Sequence, residues 1–438
     1  MSLVTRRAGA RKIVVALIAL AIAPVAVSPA HAELTELVAL DLDEAATLAV
    51  TAQPLLKGLA AEARAARESA VAASQLPDPR LVAGVQDLPA NGPNAYSFTR
   101  DPDTQLQVGV LQEFPRAEKR RLRGQSSQRE AAQLDAAQQA AQRAIRRDAA
   151  LAWIDLWRYD RALSLARATQ REAQTQQQAV EIAFKTGRAT QAEVLAARIE
   201  AARLEDAVSG AEQDVAHGRN TLSRWIGEDA QRPVCPDLPA MPPAPTLEQV
   251  LGRARQHPRL AQASAGVAAA QTQADLAKSA YQPDWRVELG YAYRPEYPEE
   301  LVLRVGMDLP LFTGKRQDRG VAAALARQQA AESGVEDAGR QLESEARLNF
   351  QDWVQLDARL RQYDKDLLPQ AGARIDAALN GWRSGRGSLR EVLDARRSAL
   401  ELRMARLLLQ GDYARHYIQL TYLGAFDVAA DDNQEAKP

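Results

Sequence analysis

Four histidines, one cysteine and four methionines are the whole stock of imidazole and sulfur side chains in a chain of 438 residues. His31, His217, His257 and His416 form no ligand pair at helical spacing, Cys235 stands alone, and one methionine is the initiator. No zinc site or chain of soft-metal ligands can be assembled from them. A glycine-rich phosphate loop and a nucleophile elbow are also missing, so no catalytic residue, cofactor or metal ligand is expected and an enzyme is set aside. The patterned chemistry is of another kind. Thr190 is followed at the third position by Glu193, and Ser388 by Glu391. That spacing of hydroxyl and carboxylate makes a capping box, which satisfies orphan amides where a helix begins. Gly187 and Gly385, three residues before each hydroxyl, suit the left-handed conformation that ends a helix.

These residues belong to two versions of one phrase, FKTGRATQAEVLAAR at Phe184–Arg198 and WRSGRGSLREVLDAR at Trp382–Arg396, 198 residues apart (385 − 187). Each reads as a tight turn between two helices. The helix before the first is very long, since Arg116 to Phe184 contains no proline and one early glycine. At about 1.5 Å per residue it would reach ~100 Å, too long for a compact domain and suited to a coiled coil or helical rod.

The repetition extends through the chain. Leu151–Leu163 (LAWIDLWRYDRAL) matches Leu348–Leu360 (LNFQDWVQLDARL), Lys119-Arg120 and Gly124 match Lys315-Arg316 and Gly320, and Glu44 with Gln53-Pro54 matches Glu248 with His257-Pro258. Ordered matches at a nearly constant offset define two copies of one unit. Repeat 1 spans 33–231 and repeat 2 spans 246–426, joined by a proline-rich extended linker at 232–245. Each repeat is expected to run helix, strand pair, long helix, hairpin tip and helix, with tips at 184–193 and 382–391.

The strand pairs fall at about 80–114 and 284–310. In the second, Val287, Leu289, Tyr291 and Tyr293 alternate with Glu288, Gly290 and Ala292, and Leu301, Leu303, Val305, Met307 and Leu309 alternate with Arg304, Gly306 and Asp308. The first has weaker equivalents at Arg80–Gln86 and Thr104–Phe114, joined by a longer loop. Runs of this length can cross a bilayer as tilted strands, with Val287, Leu289, Leu303 and Val305 toward lipid and Gly306 toward a lumen. A hairpin on a soluble core would alternate too, although the flanking alanine-rich helices offer little apolar surface to cover it. If the strands do span a membrane, four cannot close a barrel and an open edge in hydrocarbon leaves backbone groups unpaired, so chains must combine. Two chains give eight strands and a filled interior; three give twelve and the smallest open tube.

The ends and the composition bound the setting. Arg6, Arg7, Arg11 and Lys12 precede the apolar stretch Ile13–Val27, and Ala30-His31-Ala32 is a small-x-small site, so residues 1–32 are expected to be a cleaved secretory signal rather than a membrane anchor. Cys235 lies far from that site, so lipid attachment there is not expected, and a polar tail at 427–438 is expected to be disordered. Aromatic residues make up 5%, which suits close-packed helices, and a net charge of −1 gives no bulk attraction to nucleic acid.

Two tandem copies of this unit, with VGVLQEFPRAEKRRLRG at Val108–Gly124, VGMDLPLFTGKRQDRG at Val305–Gly320 and the two G-x-x-[ST]-x-x-E-V-L turns, resemble the TolC-type outer membrane factors. Within that family, DLPANGPNAYSFTRDP at Asp87–Pro102 followed by QEFPRAEKRRLR at Gln112–Arg123 is most similar to the outer membrane components of heavy-metal resistance–nodulation–division pumps. The resemblance implies a mainly α fold with a small β part. In it, a trimeric α-helical periplasmic barrel of long coiled-coil helices joins a 12-stranded transmembrane β-barrel, to which each chain gives four strands. It implies an outer membrane channel that extends into the periplasm, a passive exit duct for substrates such as heavy-metal cations. The implied partners are two further copies, a periplasmic adaptor, an inner-membrane RND-type pump and outer membrane lipid. Duct roles in drug efflux or type I protein secretion share the fold. A soluble periplasmic coiled-coil scaffold would share the helices but not the alternating strands, and a pump adaptor would need lipoyl-like halves that the chain does not show.

The resemblance also assigns a periplasmic gate at the hairpin tips. Its acidic ring falls on Glu391 and Asp394, with Glu193 at the matching place of the first hairpin and Trp382 at the tip aromatic. The basic residue of other members falls on Gly387, with Arg386 and Arg188 one position earlier, which puts an acidic-to-basic lock in doubt. Glu193 and Glu391 also read as simple helix caps, whereas Asp394 has no capping role. Finally, Pro369 is expected to break the long helix of repeat 2, as a kink or as a loop between two shorter helices, and so to make the second hairpin the mobile one.

Overall fold

The structure, a computed structural model, describes residues 39–243 and 245–426; the leader predicted at 1–32 and the tail at 427–438 lie outside the described residues. Repeat 1 runs α1 (Leu42–Ala52), α2 (Pro54–Ser74), β1 (Arg80–Gln86), β2 (Gln105–Phe114), α3 (Ala117–Lys185) and α4 (Gln191–Ile226). Repeat 2 runs α5 (Leu247–Ala254), α6 (Pro258–Ser279), β3 (Trp285–Tyr293), β4 (Glu300–Met307), α7 (Gln317–Gln362), α8 (Leu368–Arg383) and α9 (Leu389–Tyr422). The strands form one antiparallel sheet in the order β1-β2-β3-β4, so the two hairpins lie side by side and β1 and β4 are its edges.

The 69 residues of α3 form one uninterrupted helix of about 100 Å. Alanine and glycine let helices approach closely along it. A Cβ on Gly124 would lie 3.0 Å from the Ala70 carbonyl oxygen of α2, and one on Gly218 would lie 2.9 Å from the Tyr159 ring. Pro369 does not break its counterpart. Between α7 and α8, Tyr363–Leu367 winds as a single π turn in which the Leu368 N–H donates to the Tyr363 carbonyl, and helical backbone continues through Pro369. Widening the turn by one residue makes room for a ring that would otherwise strike the preceding carbonyl. The expected break is therefore a bulge in a continuous helix.

Midway along the helices a core gathers α1, α3, α4 and the linker. Trp153 is fully buried, its Nε1 donating to the Leu40 carbonyl at 3.1 Å, and Trp157 donates to the Pro236 carbonyl at 2.9 Å. Leu40 and Val234 form a parallel bridge, and Arg232 grips Glu44 through two hydrogen bonds of 2.7 and 3.0 Å. The start of the linker is thus pinned to repeat 1 by one indole N–H, a backbone bridge and an ion pair.

His257 caps α6 in the corresponding place of repeat 2. It is 1% exposed, its Nδ1 accepts the Arg259 N–H at 3.2 Å, and the Tyr422 ring meets it edge-on at 4.5 Å. Burial, reinforced by Arg143 and Arg259, depresses its pKa from 6.5 to about 4. The fold therefore holds a neutral ring, and protonation removes the cap acceptor. Stability from this group is complete above pH 6.5 and is lost as pH falls from there toward 4, by ~3 kcal/mol over the full interval. His257→Asn keeps a capping side chain without the titration. It is expected to flatten the acid limb of thermal stability between pH 6.5 and 4.5, followed by circular dichroism; an unchanged limb refutes the assignment.

Candidate functional site

Two regions carry the geometry of a conduit. The first is the sheet. Pairing sets Val110 opposite Leu289 and Leu289 opposite Leu303, and sets Val108 opposite Tyr291 and Tyr291 opposite Leu301. Their common face is open: Leu81 is 77% exposed, Leu289 59%, Leu301 81% and Leu303 68%. The other face is polar and internally bonded. Arg304 pairs with Glu288 at 2.9 Å and donates to Gln86 Oε1 at 2.9 Å, Gln107 donates to Gln86 and Gln105, and Gln105 donates to Glu300 at 3.1 Å. For Arg304 on β4 to reach Gln86 on β1, the sheet must curl with its polar face concave.

Aromatic rings mark both ends of the apolar face. Phe114, Trp285 and Met307 stand in one row at the end nearest α3, and Tyr291 and Tyr293 stand at the other. Trp285 and Tyr293 are about 27 Å apart along β3 at ~3.4 Å per residue. Gly306 differs from the open position expected of it, because a Cβ there would lie 2.9 Å from Arg286 Cγ. The Arg286 side chain lies across it; Gly84 on the same face has nothing within 4 Å.

The second region is the pair of tips. In each, a glycine with positive φ (Gly187 +73°, Gly385 +71°) closes a Schellman turn. Gly187 N–H donates to the Phe184 carbonyl and Arg188 N–H to that of Ala183; Gly385 and Arg386 do the same to Trp382 and Gly381. The guanidinium groups of Arg188 and Arg386 then fold back on Thr186 and Ser384 at 3.2 Å. The helix starts differ. Thr190 and Glu193 make a complete box, with Glu193 Oε2 accepting from the Thr190 N–H at 2.7 Å and from its hydroxyl at 2.9 Å. Only half of the second box forms: Ser388 accepts the Glu391 N–H at 3.3 Å, and the Glu391 carboxylate makes no return bond. It lies against Gly387, where a Cβ would come within 3.1 Å of it. Asp394 is exposed, 3.8 Å from Arg390 one turn away, and shares the α4–α9 groove with Glu193. Trp382 packs on a small cluster of Val180, Val194, Ala197 and Leu389 that joins the tips. Glu193, Asp394 and Trp382 are therefore near one another, while Arg386 is exposed and held by its own turn.

Just behind the tips, α9 is tied to the first hairpin. Arg397 pairs with Glu200 of α4 at 2.9 Å, Arg396 reaches the Glu172 carbonyl of α3 at 3.4 Å, and both border a cavity of about 30 Å³ beside Gln176. Arg198 joins α4 to α3 through Glu181 and, by hydrogen bonding to it, holds the Glu181 carboxyl below its ordinary range. Sequence reasoning passed over these arginines because nothing in a run such as DARRSALELR says which helix each one will meet. Among the described residues no group of three or more histidine, cysteine or acidic side chains could hold a metal ion, and no helix is long and apolar enough to cross a membrane.

A curled four-stranded sheet with an exposed apolar face, set on helices that end in two capped tips, is the fold found in solved outer membrane channels. Residues 251–424 match the family described as Outer membrane efflux protein. Solved structures with the same fold include the outer membrane protein VceC of Vibrio cholerae (21% identity, TM-score 0.71, 87% of this chain and 96% of that one). The channel-forming CusC (16%, 0.69, 89% and 93%) and the CmeC outer membrane channel of Campylobacter jejuni (13%, 0.74, 87% and 85%) share it too. None of the curated proteins matches the chain. The expected likeness to TolC-type outer membrane factors is met by a family match over most of repeat 2 and by a shared fold along most of the chain.

Proposed function

We propose that three copies of this chain form the outer membrane exit duct of a tripartite efflux system. The observation that carries this reading is the sheet, which is exposed and apolar on its convex face, polar on its concave face, and unpaired along β1 and β4. Joining β1 of one copy to β4 of the next removes every edge, and three copies make twelve strands around a lumen lined by the Arg304–Glu288–Gln86 network. The apolar face is bounded by aromatic rows at both ends, as the lipid-facing band of a transmembrane barrel is. The helices then extend into the periplasm, where the tips present a surface to an adaptor and an inner-membrane pump. Heavy-metal cations are the cargo supported by the segments Asp87–Pro102 and Gln112–Arg123. Selection of the metal falls to the pump.

Light scattering of the detergent-purified protein is expected to give a trimer. A monomeric mass with native helical circular dichroism refutes the channel. Deleting the gene is expected to sensitise the host to zinc, cobalt or cadmium; sensitivity to organic drugs alone reassigns the cargo.

A further inference from the structure

The turn between β4 and α7 carries a pattern that neither the barrel nor the tips explain. The apolar stripe of β4 does not stop with the strand. After Met307 it continues through Leu309 (56% exposed), Leu311 (72%) and Phe312 (87%), and Lys315, Arg316 and Arg319 follow at once. Phe312 is as open as any large apolar side chain among the described residues. In the matching turn of repeat 1 the lysine and arginine are used internally, Lys119 pairing with Asp284 at 2.7 Å and Arg120 donating to the Ser74 carbonyl at 3.3 Å, while Arg123, the counterpart of Arg319, is exposed. In repeat 2 the aligned lysine and arginine, Lys315 and Arg316, have no acidic partner, and neither has Arg319; Arg316 touches only Gln317, at 3.4 Å. The neighbouring acids are engaged elsewhere, Asp308 with Arg286 and Asp318 with the Tyr281 hydroxyl. The lysine and arginine are folded into the protein in one copy and face outward in the other.

We propose that Leu309–Arg319 is a binding site for anionic phospholipid of the periplasmic leaflet. Leu311 and Phe312 enter the acyl boundary while Lys315, Arg316 and Arg319 meet the phosphodiester headgroup. This rests on the barrel reading above, which places the α3 and α7 ends of the strands at the periplasmic face of the membrane. Two features favour lipid over a protein partner. The stripe is continuous with the lipid-facing surface of β4. Between Trp285 and Tyr293 that surface covers only about 20 Å of the membrane normal once the strands tilt by ~40°, so Leu309–Phe312 extend a short band. The charges also complement an anionic leaflet, whose attraction falls off within about a Debye length and so requires residues at the headgroup level.

The test is native mass spectrometry of the full-length trimer exchanged into mixed phosphatidylcholine and phosphatidylglycerol micelles. The wild type is expected to retain phosphatidylglycerol preferentially. The double change Lys315→Gln with Arg319→Gln should lower that preference by roughly fivefold for each charge removed, and Lys315→Arg with Arg319→Lys should restore it. Phe312→Ser should shorten retention of both lipids. Retention unchanged in the glutamine pair overturns the proposal. So does a drop in the trimer's dissociation temperature with lipid preference intact, which would assign the turn to the neighbouring copy. If the wild type is neither trimeric nor inserted into liposomes, the barrel reading fails instead, and that is seen before any variant is made.

Discussion

Arginine in place of Leu289 or Leu303 is expected to cost ~2–4 kcal/mol and to leave most of the chain outside the membrane fraction, because a charge at the bilayer midplane is solvated by nothing on the lipid side. The two residues are direct cross-strand partners in the centre of the apolar face, 59% and 68% exposed, so neither substitution opens a cavity or breaks a hydrogen bond. The penalty therefore reports the medium alone. Gly84→Arg is the proper control: it lies on the concave face, nothing stands within 4 Å of a Cβ there, and its charge would enter water. Gly306 is unsuitable, since Arg286 already occupies its space. The measurement is heat-modifiable gel mobility of outer membrane fractions. Equal yields of the Leu289→Arg and Gly84→Arg proteins would mean that the sheet does not cross a membrane.

The double change Asp394→Ala with Glu391→Gln is expected to weaken divalent-cation block of the closed duct by on the order of tenfold and to lower cation selectivity in planar-bilayer recordings. Two carboxylates from each of three copies would share the periplasmic mouth, where like charges concentrate cations. The tips explain why Glu391, and not Glu193, is available. Glu193 spends its carboxylate on the Thr190 N–H and hydroxyl, whereas Glu391 receives a cap at its own N–H and returns none. Glu193→Ala is accordingly expected to loosen the first tip by about 1 kcal/mol with little effect on selectivity, and the double change to leave folding and trimer formation intact. Wild-type block in the double variant would make these acids ordinary surface residues and move the constriction elsewhere. If Glu193→Ala alone abolished selectivity, the division of labour between the tips would be wrong.

The repetition, the four strands, the long helix and the tight tips were legible because each is written in local chemistry. Gly187 and Gly385 need positive φ, Thr190 and Ser388 accept the amide three residues on, and Leu301, Leu303 and Val305 alternate with a period that only an extended chain can use. The same local reading overreached where a neighbour decided the outcome. Pro369 announces a break, yet a single π turn at Tyr363–Leu367 absorbs it. The phrase around Ser388 promises the same box as Thr190, but Gly387 gives the Glu391 carboxylate room to turn away.

What the sequence by itself determined is the kind of element at each position and the exposed or hidden side of each strand, since periodicity, caps and turn glycines act within a few residues. Only the tertiary structure decided which elements meet. It joined β2 to β3 across the repeats, aimed Arg397 at Glu200, buried His257 under Tyr422, and left Lys315 without an acid while its counterpart Lys119 found Asp284. The physical reason is that an ion pair or a buried cap depends on distances set by residues far apart in the chain, and in a chain rich in arginine and acid almost any pairing is compatible with composition until the backbone chooses one.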